Sequence, residues 1–172
     1  MKLNFEIETY MDNFRIRLIE PNDSKFIRDI IVDTLLEFGA SGDGFACNDA
    51  ETQDMYSHYQ QTGRIYFVVV RNEDNTVVGG GGIAPLKEST EVCEFVKMYY
   101  LADIRGLGLG KKLLEICIEE AKKMGYKKMY LETLERMTAA RALYEKYGFK
   151  QTEEPSGTTG HFSCDAFYIR DL

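Results

Sequence analysis

The sequence predicts an α/β (α+β) fold: a mixed, mostly antiparallel central sheet of about six or seven strands flanked by about four helices. Three observations lead there. Strand-like and helix-like periodicities alternate through the second half of the chain, hairpin signals stand at both ends of the strand series, and no internal repeat or low-complexity segment interrupts the pattern. A chain of 172 residues is long enough for one compact domain, residues 1–172, that buries roughly 70% of its unfolded surface.

Phe14 to Leu18 alternates apolar and charged residues and reads as a strand, closed by Glu20-Pro21. Asn22 or Asp23 can cap a helix whose apolar positions Phe26, Ile27, Ile30, Ile31, Thr34, Leu35 and Phe38 follow helical spacing. Residues 39–44 form a glycine-rich loop, and a second helix is expected over Ala50 to Gln61 with Gly63 as its C-cap. Arg64 to Arg71 is a dense β-branched and aromatic run, hence a buried strand; residues 72–75 turn it back into Thr76 to Leu86, completing a hairpin. Within that second strand, Gly79-Gly80-Gly81-Gly82 marks either a close approach that leaves room for a ligand or a merely irregular strand. There follow a strand from Glu94 to Leu101, a glycine turn, a helix from Leu109 to Met124 stopped by Gly125, a strand from Lys128 to Leu134 and a helix from Thr138 to Tyr147 ended by Gly148. Two strands, near Phe149 to Thr152 and His161 to Arg170, close the chain, while residues 1–11 are expected to be an N-terminal arm or an edge strand.

The N-terminal stretch carries Glu6 and Glu8 and lacks the apolar segment of a secretory signal, and no run approaches membrane-spanning length. Four scattered cysteines without a Cys-x-x-Cys pair suit a reduced, cytoplasmic protein without a zinc or redox site. A net charge of −7 argues against a nucleic-acid surface and favours cationic acceptors such as amines.

The chemistry begins at Arg105-Gly106-Leu107-Gly108-Leu109-Gly110-Lys111, where a glycine-rich turn feeds a helix N-terminus. Glycine admits backbone angles closed to other residues, and the unpaired first-turn amides with the helix dipole favour an anion, so the turn suits a pyrophosphate. A Walker loop would need Gly-Lys-Ser/Thr, whereas Gly110 is followed by Lys111 and Lys112. A dinucleotide fingerprint would need a third glycine where Lys111 stands.

The remaining pattern, Arg-x-x-Gly-x-Gly, resembles that of the GCN5-related N-acetyltransferases (the GNAT family). The resemblance continues in the strand Glu94 to Leu101 before the turn, and in Ala140, Leu143, Tyr144, Lys146, Gly148 and Phe149 after it, in that family's order and spacing. It implies a GNAT-like acyl-CoA N-acyltransferase fold and an enzyme of class EC 2.3.1 that moves an acetyl group from acetyl-CoA directly to a primary amine, with no metal. A small-molecule acceptor suits the acidic chain and short loops; a protein or peptide acetyltransferase and a noncatalytic acyl-CoA-binding module are the alternatives. A homodimer is left open.

By the same resemblance Arg105, Gly106, Leu107, Gly108, Leu109, Gly110 and Lys111 hold the coenzyme A phosphates, and main-chain groups of Met98, Tyr99 and Tyr100 meet the pantetheine arm and the oxyanion. Tyr144 resembles the family's general acid; a phenol with an intrinsic pKa of about 10 stays protonated at neutral pH. The family often carries an asparagine seven residues earlier, where this chain has Met137. Glu94 matches the catalytic glutamate of the histone-acetylating members, as a base acting directly or through water. Glu132, on the next strand, is a second candidate, as base or as the carboxylate that holds a cationic acceptor, and His161, in Gly-His-Phe-Ser-Cys-Asp, is placed on the acceptor side.

Overall fold

In a computed structural model that describes residues 9–172, the strands form one eight-stranded sheet of order β1-β2-β3-β4-β5-β6-β8-β7. The strands are β1 (Thr9–Met11), β2 (Phe14–Leu18), β3 (Ile65–Arg71), β4 (Val77–Pro85), β5 (Val92–Tyr100), β6 (Lys128–Thr133), β7 (Lys150–Thr152) and β8 (Ala166–Asp171). The helices are α1 (Ser24–Glu37), α2 (Ala50–Gln53), α3 (Met55–His58), α4 (Leu109–Lys123) and α5 (Thr138–Lys146). Every neighbouring pair is antiparallel except β5 with β6. The mixed, mostly antiparallel sheet is therefore as expected. Thr9–Met11 is the edge strand that the N-terminal reading allowed, and residues 1–8 of the expected arm lie outside the described residues.

Two apolar layers sandwich the sheet. α1 presents Ile27, Ile30, Ile31 and Leu35 to one face, where they meet Val68, Val70, Val96 and Tyr66. α4 presents Leu109, Leu113, Leu114, Cys117 and Ile118 to the other, with Phe67, Phe95, Tyr100, Tyr144 and Tyr168. Alternation along β3, Phe67 to one side and Val68 to the other, is what a strand buried on both faces requires.

Three expectations need correction. The helix expected over Ala50 to Gln61 is two short helices, because Asp54 leaves helical geometry (φ −142, ψ 73) and turns its carboxylate back to cap α3 through the Ser57 amide at 3.2 Å. Gly63 is thus a turn residue (φ 78) and not a C-cap, and the helix count is five. The strand expected from His161 starts only at Ala166, and the four glycines 79–82 run unbroken through β4. A Cβ on Gly79 would stand 2.2 Å from the Tyr100 ring and one on Gly82 2.8 Å from the Tyr66 ring. Those glycines make room for two core tyrosines rather than for a ligand.

Candidate functional site

β5 and β6 pair side by side only from Val92↔Lys128 to Glu94↔Tyr130 and then diverge, so the β6 side of residues 95–100 is left without a ladder. Directly beyond the fork, β5 carries a bulge. Val96 pairs with Gly82 and Tyr99 with Gly80, so Lys97 and Met98 stand opposite the single Gly81, and Lys97 has a left-handed φ of 51. A bulge re-aims side chains by spoiling the alternation. Here it lets both Val96 and Lys97 line a small cavity on the α1 side.

The fork opens a cavity of about 330 Å³ lined by Met98, Tyr99 and Tyr100 of β5, by Arg105, Gly106, Leu109 and Gly110 of the glycine turn, and by Met137, Ala140 and Leu143 at the start of α5. Seven of the sequence-expected binding residues are brought together; Leu107, Gly108 and Lys111 lie beside the cavity in the turn and the first helical turn. Gly106 (φ 81) and Gly108 (φ 82) take the left-handed backbone the turn demands. The first amide bonded within α4 is that of Lys112, to the Gly108 carbonyl, so the amides of Leu109, Gly110 and Lys111 have no helical partner. That is the donor set an anion needs. Arg105 departs from expectation: its guanidinium is clamped bidentately by Glu37 at 2.7 and 2.8 Å while Nε donates to the Tyr100 carbonyl at 3.0 Å. It braces the cavity wall, and its charge is already answered.

A second, 40 Å³ space adjoins the first, with Tyr99 and Met137 in both linings, and shares Glu94, Val96 and His161 with an outer cavity of about 570 Å³. The outer cavity is bounded by Asp49–Glu51, by the Pro85–Ser89 turn and by Thr158, Thr159 and His161. The three spaces follow one another along β5.

Around the neck stands a cluster of ionisable groups. Glu94 has a side chain 13% exposed and no hydrogen-bond partner among the described residues; burial pushes its carboxyl up to about 7, His161 opposing and Glu132 reinforcing the shift. Glu132 is 2% exposed, with its two oxygens accepting from the Tyr130 hydroxyl and the Thr159 hydroxyl, each at 2.8 Å. His161 Nε2 lies 2.8 Å from Asp49 Oδ2, while Nδ1 faces Glu132 at 3.7 Å and Glu94 at 3.9 Å. Burial works against charge on His161, but the hydrogen bond and charge of Asp49 outweigh it, so its pKa lies above the ordinary value. Lys97, buried at the bulge, sits on Asp49 at 2.7 Å and on Glu51, and these anions hold it charged against burial. The long connection from β7 to β8 closes over the group: the Ser156 amide donates to the Tyr130 hydroxyl, Thr159 to Glu132, and Ser163 to the Asp43 carbonyl.

Tyr144 packs on α5 among Phe95, Phe149 and Tyr168, with ring centroids 6.2, 5.9 and 6.2 Å away. It does not line the 330 Å³ cavity; its hydroxyl bonds to nothing among the described residues, and burial raises its pKa, which keeps it a proton donor. Sequence reasoning missed Asp49, Lys97, Thr159 and Tyr130. Lys97 alone carried a local signal, a lysine inside an apolar strand run.

Comparison with known proteins places this geometry. The acetyltransferase (GNAT) family profile matches residues 28–149. The chain is 40% identical over 159 residues, 91% of its length and 94% of the relative's, to the uncharacterized N-acetyltransferase YjgM of Escherichia coli. It is 30% identical over 133 residues, covering 77% of this chain and 80% of the relative, to the uncharacterized N-acetyltransferase C1271.07c of Schizosaccharomyces pombe. Its fold is similar to that of a GNAT-family acetyltransferase from Staphylococcus aureus, with a TM-score of 0.81 at 22% identity over 92% of this chain and 99% of the other. It is also similar to yncA of Salmonella typhimurium, a structure with its cofactor acetyl-CoA, with a TM-score of 0.74 at 22% identity over 93% and 94%. No described helix is long and apolar enough to cross a membrane.

Proposed function

The chain belongs to the acetyltransferase (GNAT) family and is an acetyltransferase; from that premise we propose that it carries an acetyl group from acetyl-CoA to the primary amine of a small molecule. One observation carries the assignment of the parts: the helix-terminus cavity, a 40 Å³ neck and an outer cavity adjoin along β5, with Glu94 on the wall shared by the last two.

Coenzyme A phosphates fit the free amides of Leu109, Gly110 and Lys111, with the Gly106 and Gly108 turn close by and Lys111 adding charge from the first helical turn. The unladdered edge at Met98, Tyr99 and Tyr100 faces the same cavity and suits the amide-bearing pantetheine arm. Main-chain N–H groups there would also meet the charge that develops on the thioester oxygen.

The acceptor enters through the outer cavity. An alkylammonium with a pKa near 10.4 must lose a proton before it can attack, at a cost of roughly 5 kcal/mol at pH 7. Glu94, partnerless and with a pKa of about 7, is the group suited to take it. Glu132 has its oxygens held by two hydroxyls, so it orients a cationic acceptor rather than serving as base. Tyr144, kept neutral by burial and standing next to Leu143 of the cavity wall, is the residue we assign to return a proton to the departing thiolate once the donor is seated. The test is release of free thiol from acetyl-CoA with a panel of amino acids, polyamines, aminoglycosides and short peptides, with Glu94→Gln and Tyr144→Phe as controls. Turnover with small amines that both variants lose supports the assignment; turnover with peptides alone, or turnover that both variants retain, overturns it.

A further inference from the structure

Two residues 112 positions apart, His161 and Asp49, meet inside the site. An ionised carboxylate only accepts, so at 2.8 Å the His161 Nε2 carries the hydrogen and the lone pair of the neutral ring stands at Nδ1. Asp49 is itself pinned: burial raises its pKa, but His161 and Lys97 outweigh burial and hold it ionised. The free Nδ1 faces two carboxylates. Glu132 is occupied by Tyr130 and Thr159, whereas Glu94 has open lone pairs. His161 also belongs to the walls of both the neck and the outer cavity, so one side of the ring meets Glu94 and the other meets the way out.

We propose that His161 is the proton exit of the transfer reaction: its Nδ1 takes from Glu94 the proton that Glu94 removed from the acceptor ammonium and delivers it to water in the outer cavity. Asp49 fixes the tautomer that makes this possible. The step balances without another reactant. The O–H bond of Glu94 breaks as Nδ1–H forms, the imidazolium is held by Asp49, and loss of the Nδ1 proton to water returns both residues to their starting states. The groups that set the charge on His161 are Asp49, Glu94 and Lys97, with Glu132 of β6 also facing its Nδ1 and Glu51 acting on Lys97. Burial brings Glu94 up to about 7, and the hydrogen bond and charge of Asp49 hold the His161 pKa above its ordinary value, which favours a proton on the ring. The 3.9 Å separation is one that catalytic pairs without substrate commonly show before they tighten.

The inference rests on Glu94 being the base, and the experiment separates the two claims. Rates and pH profiles are measured for the wild type, His161→Gln, His161→Gly and Asp49→Asn with the fastest amine of the panel. Glutamine keeps a donor toward Asp49 but cannot carry a proton. The expected result is a kcat loss on the order of 10- to 100-fold in His161→Gln with an unchanged KM for acetyl-CoA. Added imidazole should restore rate to His161→Gly, and the ascending limb of Asp49→Asn should move to lower pH, a change that a merely structural contact would not produce. A His161→Gln kcat within twofold of wild type, or an unshifted Asp49→Asn profile, overturns the exit while leaving the Glu94 assignment intact. If Glu94→Gln turns over normally, the base assignment and the exit fall together.

Discussion

Glu94→Gln should make the protein less active and more stable, by amounts that depend on pH. Folding raises the Glu94 carboxyl from 4.5 to about 7, so the folded chain holds that proton more tightly than the unfolded chain does. The stability this contributes is complete below the unfolded value and is lost as pH climbs through the folded one. With a shift worth 1.36 kcal/mol per unit, the loss is about 1 kcal/mol at pH 5 and about 3 kcal/mol at pH 8. Glutamine has no such loss. The stability difference between variant and wild type should therefore widen by about 2 kcal/mol in the variant's favour between pH 5 and pH 8, with any constant packing offset cancelling. His161 is present in both chains, and loss of the Glu94 charge removes one of the influences that raise its pKa. Urea denaturation at the two pH values gives the difference directly. Thiol release from acetyl-CoA should fall by ~100-fold or more, since general-base groups commonly contribute that much. A stability difference that stays flat or narrows would show that Glu94 ionises as an ordinary carboxylate, and the reasoning that makes it the base would fail.

Gly108→Ala should cost about 1 kcal/mol, because φ is 82 there and no neighbour lies within 4 Å of the added methyl, and its expected loss of coenzyme A affinity would be read by calorimetric titration. Gly110→Val points instead toward Met98 and Tyr100, whose atoms lie 3.6 Å from the new Cβ, so coenzyme A affinity should drop at least ~10-fold by steric filling. Tyr144→Phe should lower kcat by at least ~10-fold at unchanged melting temperature, since the lost hydroxyl bonds to nothing among the described residues. Lys97→Met should cost about 3 kcal/mol in urea denaturation, by leaving Asp49 and Glu51 side by side without their shared cation, and Lys97→Met with Glu51→Gln should recover part of it.

What the chain discloses about itself follows from the range over which its signals act. Strand limits at Phe14–Leu18 and the helix from Leu109 were legible because burial period and end chemistry are local. The glycine turn was legible for the same reason: Gly106 and Gly108 must occupy backbone that other residues avoid. Asp49 gave no sign of its contacts, because its partners His161 and Lys97 are distant in sequence and nothing within a few residues of any of them announces the others. The pairing of Arg105 was hidden because its partner Glu37 lies 68 positions away, so a lone arginine beside glycines looks free for phosphate. The glycines of β4 misled in another way: the rings of Tyr66 and Tyr100 that fill the space above them belong to neighbouring strands.

The bulge at Lys97 joins these long-range features. Strict alternation from Glu94 would send Val96, Met98 and Tyr100 to the α1 face, and Phe95, Lys97 and Tyr99 to the α4 face. Lys97 would then be driven into the apolar layer built from Leu113, Leu114 and Cys117, where burying an ammonium is costly. One extra residue reverses the order after Val96. Tyr100 and Met98 return to the α4 side, Tyr99 joins the α1 side, and Lys97 reaches Asp49 and Glu51. Asp49, held there, orients His161 over Glu94. The same irregularity lies just past the last β5–β6 pair, where the fork begins. A single left-handed residue thus lies where the strands part and fixes the charges around His161 and Glu94, which on the proposed function ties the two halves of the reaction to one local distortion of the strand.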